Sequence, residues 1–129
     1  MDENPTDADE QFELGYCYFR GDGVPQDAKK TLYWLIKAAE QDHVEAQLLL
    51  GDIYSRMVKD YKKAVYWWTK AAEQGNSGAQ NNLAVCYENG DGVSEDLEKA
   101  MYWWTKSAEQ GNEEAQINLD DFKREHGIS

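Results

Sequence analysis

The sequence of 129 residues has few basic side chains, because 13 Lys and Arg stand against 25 Asp and Glu and the formal net charge is −12. Nucleic acids and anionic membranes attract proteins through basic surfaces, so this balance argues against both as partners. It favours a solvated acidic exterior and a protein partner that carries basic groups.

Long apolar runs are also missing. No stretch approaches the roughly 20 apolar residues that a membrane-spanning helix requires. The N-terminus, MDENPTDADEQ, does not have the basic and then apolar layout of a signal peptide. We therefore expect a cytoplasmic domain, while excision from a longer or exported parent chain stays open as an alternative.

The residue types needed for catalysis or metal binding do not cluster. The sequence has no Ser–His–Asp set, no glycine-rich phosphate loop opening from a strand and no metal-ligand cluster. His43 and His126 lack Cys, His or acidic neighbours at ligand spacing, which favours surface or helix-capping roles. Residues 87–98 have the length of a calcium loop, but Tyr87 stands where the first carboxylate belongs. We predict a protein that is not an enzyme and binds no cofactor or metal.

What the sequence does contain is a repeat. Residues 64–80 read AVYWWTKAAEQGNSGAQ, residues 100–116 read AMYWWTKSAEQGNEEAQ, and residues 31–47 read TLYWLIKAAEQDHVEAQ. Self-similarity at this period is typical of helical repeat arrays. We divide the chain into an acidic lead-in (residues 1–9), three repeats (10–45, 46–78 and 79–114) and a C-terminal half repeat (115–129), which together form one solenoid domain.

Each full repeat predicts a pair of helices, so the chain should form seven helices and no strand. The second helix carries apolar residues at i, i+3, i+4, i+7 and i+8, which is typical of a buried face. Trp34, Trp67 and Trp103 are expected to be buried there, while burial and partial exposure both stay open for Trp68 and Trp104. A glycine in the first helix, Gly15 or Gly51, predicts close approach of the partner helix.

The loops between paired helices, RGDGVPQD (20–27) and NGDGVSED (89–96), carry turn glycines. Pro25 and Ser94 are expected to act as a first-turn proline and a capping serine. Repeat two replaces this loop with RMVKD (56–60), which predicts a tighter turn. The lead-in, PTDAD (5–9), predicts a helix start with acids at the positive end of the helix dipole.

The two cysteines, Cys17 and Cys86, occupy equivalent positions two repeats apart, each three residues after the leucine of its first helix. That separation exceeds the roughly 7 Å between Cα atoms that a disulfide tolerates. We predict two free and largely buried thiols, consistent with a reducing compartment.

The combined pattern, A-x-x-x-L-G-x-x-Y, then G-x-G-V-x-x-D, then K-A-x-x-W-x-x-K-A-A-E-Q-G, resembles the Sel-one-like repeat, a branch of the tetratricopeptide repeat superfamily. The match covers about residues 10–122, with departures at Thr31 and Asp42 and in the shortened loop of repeat two. The resemblance implies an all-α solenoid, a right-handed superhelix of antiparallel helix pairs. It also implies a protein-binding adaptor whose first helices line the concave side.

On this resemblance, the first-helix residues that vary between repeats are the candidate partner-binding set. They are Phe12, Glu13, Tyr16, Phe19 and Arg20 in repeat one; Leu48, Leu49, Asp52, Ser55 and Arg56 in repeat two; Asn81, Asn82, Val85, Glu88 and Asn89 in repeat three; and Ile117, Asn118 and Asp121 in the half repeat. The set passes from aromatic to amide-rich, and asparagine side chains can bond a peptide backbone. For each residue, packing between neighbouring first helices is the alternative.

The functional prediction is a non-catalytic adaptor that binds a peptide segment or helix of another protein in its concave groove. We expect a monomer or a weak homodimer. The alternative is a structural fragment of a longer repeat protein that stacks or self-associates through its solenoid ends.

Overall fold

The computed structural model describes residues 4–129, which form seven α-helices and no strand. The helices are α1 (Ala8–Arg20), α2 (Ala28–Glu40), α3 (Val44–Ile53), α4 (Tyr61–Glu73), α5 (Ser77–Asn89), α6 (Leu97–Glu109) and α7 (Glu113–Glu125). One π-helical turn, Tyr54–Val58, follows α3. The predicted all-α architecture is confirmed.

The helices pack as a one-dimensional stack. The first helices α3 and α5 each contact the second helix of their own repeat and the second helix of the preceding repeat, and α7 packs on α6. The apolar residues of α2 to α5 form one continuous cluster, and the apolar residues of α5 to α7 form a second. This arrangement is an α-solenoid, in which each repeat buries its apolar face against its neighbours.

Each α-helix begins at a side chain that accepts a hydrogen bond from the first turn. The capping residues are Asp7, His43, Asn76 and Asn112 before the first helices, and Asp27, Asp60 and Asp96 before the second helices. The prediction that Pro25 and Ser94 start the second helices is wrong. The aspartate two residues later is the N-cap because its carboxylate accepts from the N–H three residues on, at 3.1 Å in both loops.

The predicted close approach at the helix glycines is confirmed. A Cβ on Gly51 would overlap the indole of Trp68, and one on Gly15 would lie 3.0 Å from Cδ2 of Leu35. Trp68 is therefore buried against its own first helix, and Trp104, with 1% of its surface exposed, is buried too. Of the other three tryptophans, Trp34 and Trp67 are buried as predicted, while Trp103 is only half-buried.

Paired glutamines bond the repeats together, a feature that the sequence pattern does not predict. In α3, the amide Nε2 of Gln47 donates to the carbonyl of Ala39 at the end of α2, while its Oε1 accepts from Gln74 at 2.8 Å. Gln80 repeats the pattern with Ala72 and Gln110, and Gln11 repeats it with Pro5 and Gln41. Since Gln11, Gln47 and Gln80 are buried, these bonds satisfy amides that would otherwise be costly to bury.

The prediction of a tighter turn in repeat two is confirmed, because only Lys59 and Asp60 separate the π-helical turn Tyr54–Val58 from α4, whereas residues 21–27 and 90–96 join the paired helices of repeats one and three. The chain widens into the π-helical turn Tyr54–Val58, and Lys59 then takes a left-handed conformation with φ of 63°. The N–H of Asp60 closes the turn by donating to the carbonyl of Tyr54 at 2.8 Å. π-Helical turns are rare and frequently lie at functional sites. This one leaves Met57 and Val58 largely exposed, at 65% and 51%.

Both cysteines are free thiols, as predicted, but their surroundings differ. Cys86 is buried in the central cluster, where burial, with a smaller effect from Asp91, raises its pKa to about 12. Cys17, its counterpart in repeat one, is half-buried.

Candidate partner-binding surface

Four aromatic side chains gather on α1 and at the start of α3. We call Phe12, Tyr16, Phe19 and His43 the aromatic cluster. The ring of Phe12 stacks on His43 at 4.7 Å and on Tyr16 at 5.9 Å, and Tyr16 lies 6.2 Å from Phe19. Tyr16 is 37% exposed, while Phe12, Phe19 and His43 are half-buried. The cluster offers rigid apolar area to a ligand at the surface.

Polar contacts of His43 and Arg20 lie at the edges of the aromatic cluster. His43 accepts from the N–H of Ala46 through Nδ1, and its Nε2 lies 3.0 Å from a carboxylate oxygen of Asp9. Arg20 lies over the Tyr16 ring at 5.6 Å and pairs with Asp22 at 3.3 Å. The expectation that His43 has a surface or capping role is confirmed, because it is the N-cap of α3.

A second concavity lies where repeat two meets repeat three, and we call it the central pocket. It has a volume of about 350 Å³. Five predicted residues line it: Ser55, Arg56, Asn81, Asn82 and Val85. The variable positions of two successive repeats therefore converge on one depression, as the hypothesis of a binding groove requires.

The polar groups of the central pocket differ in their freedom to meet a ligand. Ser55 is buried and donates through Oγ to the carbonyl of Asp52 at 3.1 Å, while Asn81 is buried and its Oδ1 accepts from Asn118 at 3.0 Å. These two side chains join neighbouring elements of the fold. Arg56 is exposed and Asn82 is half-buried, so both present polar atoms at the surface.

Asp52 stands beside the central pocket on α3 and is half-buried. Burial raises the pKa of its carboxyl above the usual value, and the neighbouring Arg56 guanidinium counteracts part of that effect. A half-desolvated carboxylate is a favourable partner for a basic group that arrives with a ligand.

The other predicted residues are dispersed along the first helices. Glu13, Asn89 and Ile117 are exposed, and Leu48, Leu49, Glu88, Asn118 and Asp121 are half-buried. Burial raises the pKa of Glu88, as does the nearby Glu125, while His126 lowers it. The members of this set on α5 and α7 lie on helices that do not pack on α1, which carries most of the aromatic cluster.

The central pocket also contains residues that the sequence did not point to, including Lys59, Tyr61, Trp68 and Glu114. Lys59 and Tyr61 flank the residue that caps α4, and the π-helical turn brings both to the rim. The three-residue deletion in the loop of repeat two is the available signal in the sequence. By itself it indicates a shortened connection and no binding residue.

Charge separates the two kinds of helix. The first helices α1, α3, α5 and α7 carry eleven carboxylates and three basic side chains. The second helices α2, α4 and α6 carry four carboxylates and eight lysines. Six of those lysines lie over tyrosine rings at 5.1 to 5.4 Å. The surface of the first helices is therefore acidic, and that of the second helices is basic.

Neither a metal cluster nor a membrane-spanning helix occurs in the described part of the chain. Within residues 4–129, no group of three or more His, Cys, Asp and Glu side chains could hold a metal ion. None of the described helices is long and apolar enough to cross a membrane. In the loop considered as a calcium loop, Gly92 lies against the backbone carbonyl of Tyr61.

The fold and its repeated helix pairs define the class of helical repeat proteins, which form solenoids. A family model described as the Sel1 repeat matches residues 11–43, 44–76 and 77–112. The chain therefore belongs to the Sel1 repeat family, whose members generally act as protein-interaction scaffolds. The resemblance deduced from the sequence motif is confirmed.

Two solved structures share both fold and sequence with this chain. A Sel1 repeat protein from Oxalobacter formigenes is 40% identical with a TM-score of 0.82, and 90% of each chain is covered. A protective antigen of uropathogenic Escherichia coli with an SLR fold is 37% identical with a TM-score of 0.89. That match covers 96% of this chain but 27% of the antigen, so the chain spans about a quarter of that relative.

A third structure shares the fold alone. Cysteine rich protein B of Helicobacter pylori is 24% identical with a TM-score of 0.71, covering 87% of this chain and 89% of that protein. A search of curated protein sequences gave no match.

Proposed function

We propose that the chain is a non-catalytic adaptor whose first-helix face binds an extended or helical segment of a partner protein. By first-helix face we mean the exposed and half-buried members of the candidate partner-binding set on α1, α3, α5 and α7. The observation that carries the proposal is the convergence of variable residues from two successive repeats on the central pocket. The aromatic cluster supplies a second group of surface side chains on the first helices. Sel1 repeat proteins typically bind other proteins, which supports the same class of function.

The chemistry of the surface also suggests what the segment should contain. The aromatic cluster suits an apolar or aromatic anchor residue, because the few residues that dominate binding energy in protein interfaces are enriched in Trp and Tyr. The acidic balance of the first helices suits lysine or arginine elsewhere in the segment. Rigid helix pairs hold these groups in place before binding, so little conformational entropy is lost.

The test is a selection of random peptides displayed on phage against the protein and against a variant with Tyr16→Ala, Asp52→Asn and Asn82→Ala. We expect the protein to enrich peptides that combine an aromatic or aliphatic residue with basic residues, and the variant to lose that enrichment. Binding of a selected peptide should weaken as salt rises, because part of it is electrostatic.

A matched control carries Tyr66→Ala, Thr69→Ala and Lys106→Glu on the second helices. It should retain the enriched peptides with unchanged affinity, and all three proteins should melt at similar temperatures. Equal enrichment by the parent and the first variant would contradict the proposal. Loss of binding in the control alone would place the site on the second helices instead.

End-to-end stacking of copies is the alternative function, and the position of α7 weighs against it. α7 packs on α6 in the place that the first helix of a following repeat takes. The α1 helix of another copy would need the same place. A dimer that dissociates on dilution, measured by light scattering, would favour the alternative, and stacking on further repeats of a longer chain stays open.

We further propose that the domain works in a reducing compartment, the cytoplasm. Both cysteines are free thiols, and Cys86 is buried where no oxidising partner can reach it.

A further inference from the structure

A groove of about 800 Å³ lies at the N-terminal end of the solenoid, and we call it the N-terminal groove. It is lined by Cys17 and Tyr18 of α1, Gly23 and Val24 of the following loop, and Lys30 and Tyr33 of α2, among others. None of these residues belongs to the first-helix face, so a ligand of this groove is independent of the adaptor function of that face.

The same surface is covered by a helix in the other two repeats. Ile53 and Cys86, the counterparts of Cys17, are 6% and 3% exposed and lie in the central cluster with apolar residues of α2 and α4. Of the two counterparts of Tyr18, Tyr54 is 6% exposed and Tyr87 is half-buried, so the comparison depends on the cysteine position. Cys17 and Tyr18 are half-buried. The repeat pattern thus supplies two internal examples of what fills this surface.

The loop glycines show the difference most directly. Gly23 and Gly92 are equivalent and share a left-handed conformation, with φ of 74° and 73°. A Cβ on Gly92 would overlap the backbone carbonyl of Tyr61 at the start of α4, whereas a Cβ on Gly23 would have nothing within 4 Å. The loop of repeat three therefore rests on a preceding helix, and within residues 4–129 no atom takes that place at the loop of repeat one.

Among residues 4–129, Pro5 takes the place that the end of a preceding second helix takes in repeats two and three. Gln11 donates to the carbonyl of Pro5 at 2.9 Å, as Gln47 donates to Ala39 and Gln80 to Ala72 at the ends of α2 and α4. Pro5 is buried, so it stands in for the last turn of a preceding second helix. The room that remains lies beside the loop, where such a helix would begin.

We propose that the N-terminal groove binds an amphipathic helix of a partner protein that follows the pattern of α2 and α4. On α4, Val65 and Ala72 share the face toward repeat three, and Leu32 and Ala39 hold the same places on α2. The partner helix therefore needs a branched aliphatic residue and, seven residues later, a small one. A second copy of this chain does not fit as well, because its α6 helix already has α7 on the corresponding face.

The test uses a capped peptide of residues 60–74, which is the α4 segment, and the reactivity of Cys17 toward iodoacetamide. Cys17 lines the groove and should react, whereas Cys86 is buried with its pKa raised to about 12 and should stay slow. At a peptide concentration about ten times Kd the groove is empty about a tenth of the time, so the Cys17 rate should fall about tenfold. Mass spectrometry of the digested protein follows the two thiols separately.

Three controls make the result specific. A peptide with Val65→Asn and Ala72→Asn should leave the Cys17 rate unchanged. The protein variant Val24→Asp, on the rim of the groove, should lose protection, while Met101→Asp at the opposite end of the solenoid should keep it. A rise in Cys86 reactivity would reveal a variant that is misfolded, and Tyr33→Asp, at a 54% exposed residue of the same groove, would then replace Val24→Asp.

Two outcomes would overturn the proposal. Cys17 that reacts at the same rate with and without the peptide would show that the groove does not accept a helix. Cys17 that is already as slow as Cys86 before peptide is added would show that the chain, or a second copy detected by light scattering, fills the groove itself.

Discussion

The second helices and the first helices of this solenoid differ in what the sequence allows to change. The second helices share a Tyr-Trp pair followed by Leu or Trp, a lysine four residues after the tyrosine and a small residue on the next turn. The first helices keep a buried alanine or glycine, leucine and glutamine but vary elsewhere, from the Phe12 and Tyr16 rings to Asn81 and Asn82. One helix of each pair maintains the stack, and the other is free to diversify.

The same division appears in charge. Lysines of the second helices lie over tyrosine rings of the same or the adjacent helix, so their charges serve the fold as cation–π partners. Most carboxylates of the first helices have no such fixed partner among the described residues, apart from contacts such as Asp9 with His43. Surface charge that the fold does not use is available for attracting a ligand.

Trp67→Ala tests the structural half of this comparison and should have the largest effect. Trp67 is 7% exposed in the central cluster, so its removal leaves a cavity between repeats. We expect a loss of about 3–5 kcal/mol in the free energy of unfolding, measured by urea denaturation. Tyr66→Ala is the matched control, because the adjacent ring is 55% exposed. Similar losses of unfolding free energy for the two variants would mean that the buried face of the second helices does not hold the stack together.

Gly51→Ala tests the contact between the two kinds of helix. The new methyl group would overlap the indole of Trp68, and overpacking of this kind costs about 1–3 kcal/mol. Gly15→Ala is the comparison, because its Cβ would lie 3.0 Å from Cδ2 of Leu35 and 3.2 Å from the Leu35 backbone nitrogen, which is tight but short of overlap, and alanine favours a helix by about 1 kcal/mol. We expect Gly51→Ala to melt at a lower temperature than Gly15→Ala. The reverse order would mean that Trp68 can move away without loss.

The repeated residues made the fold predictable. Ala, Leu, Gly and Trp recur at fixed spacing, and that spacing alone defines seven helices and their buried faces. Features that depend on one repeat meeting the next were missed. Gln47 and Gln80 recur as regularly as the leucines, but a glutamine pattern does not say that its partner is a carbonyl eight residues earlier.

The candidate site was predictable only as a set of positions. The variation between repeats identified Arg56 and Asn82, and the structure places both on the central pocket. The variation between repeats did not identify Lys59 or Tyr61. The path of the shortened loop depends on a π-helical turn, and the spacing of residues in the sequence does not predict such a turn. Ser55 and Asn81 varied like their neighbours, yet both are buried, since variation alone does not separate exposed positions from contacts between repeats.

Asp52→Asn tests whether a carboxylate of the first helices is free of the fold, and it should have the smallest effect on the free energy of unfolding. Burial raises the pKa of Asp52 in the folded state above the usual 3.8, so the fold favours the neutral carboxyl. That preference adds stability below pH 3.8 and the contribution is lost as the pH rises through the raised pKa. At neutral pH the charged form is therefore slightly unfavourable, and asparagine removes the charge. We expect the variant to be more stable than the parent at pH 7 by about 0.5 kcal/mol or less.

The pH dependence of that difference distinguishes a desolvated carboxylate from an ordinary surface one. The gain should shrink as the pH falls and disappear below pH 3.8, where the carboxyl is neutral in both states. Arg56→Gln is the opposing control, because removal of the guanidinium should raise the pKa of Asp52 further and destabilise the protein at pH 7. Urea denaturation of the three proteins across this range measures both effects. A parent that is more stable than Asp52→Asn at pH 7 would mean that Arg56 and the Trp68 indole stabilise the carboxylate by more than burial destabilises it. It would then not be free to receive a basic group from a ligand.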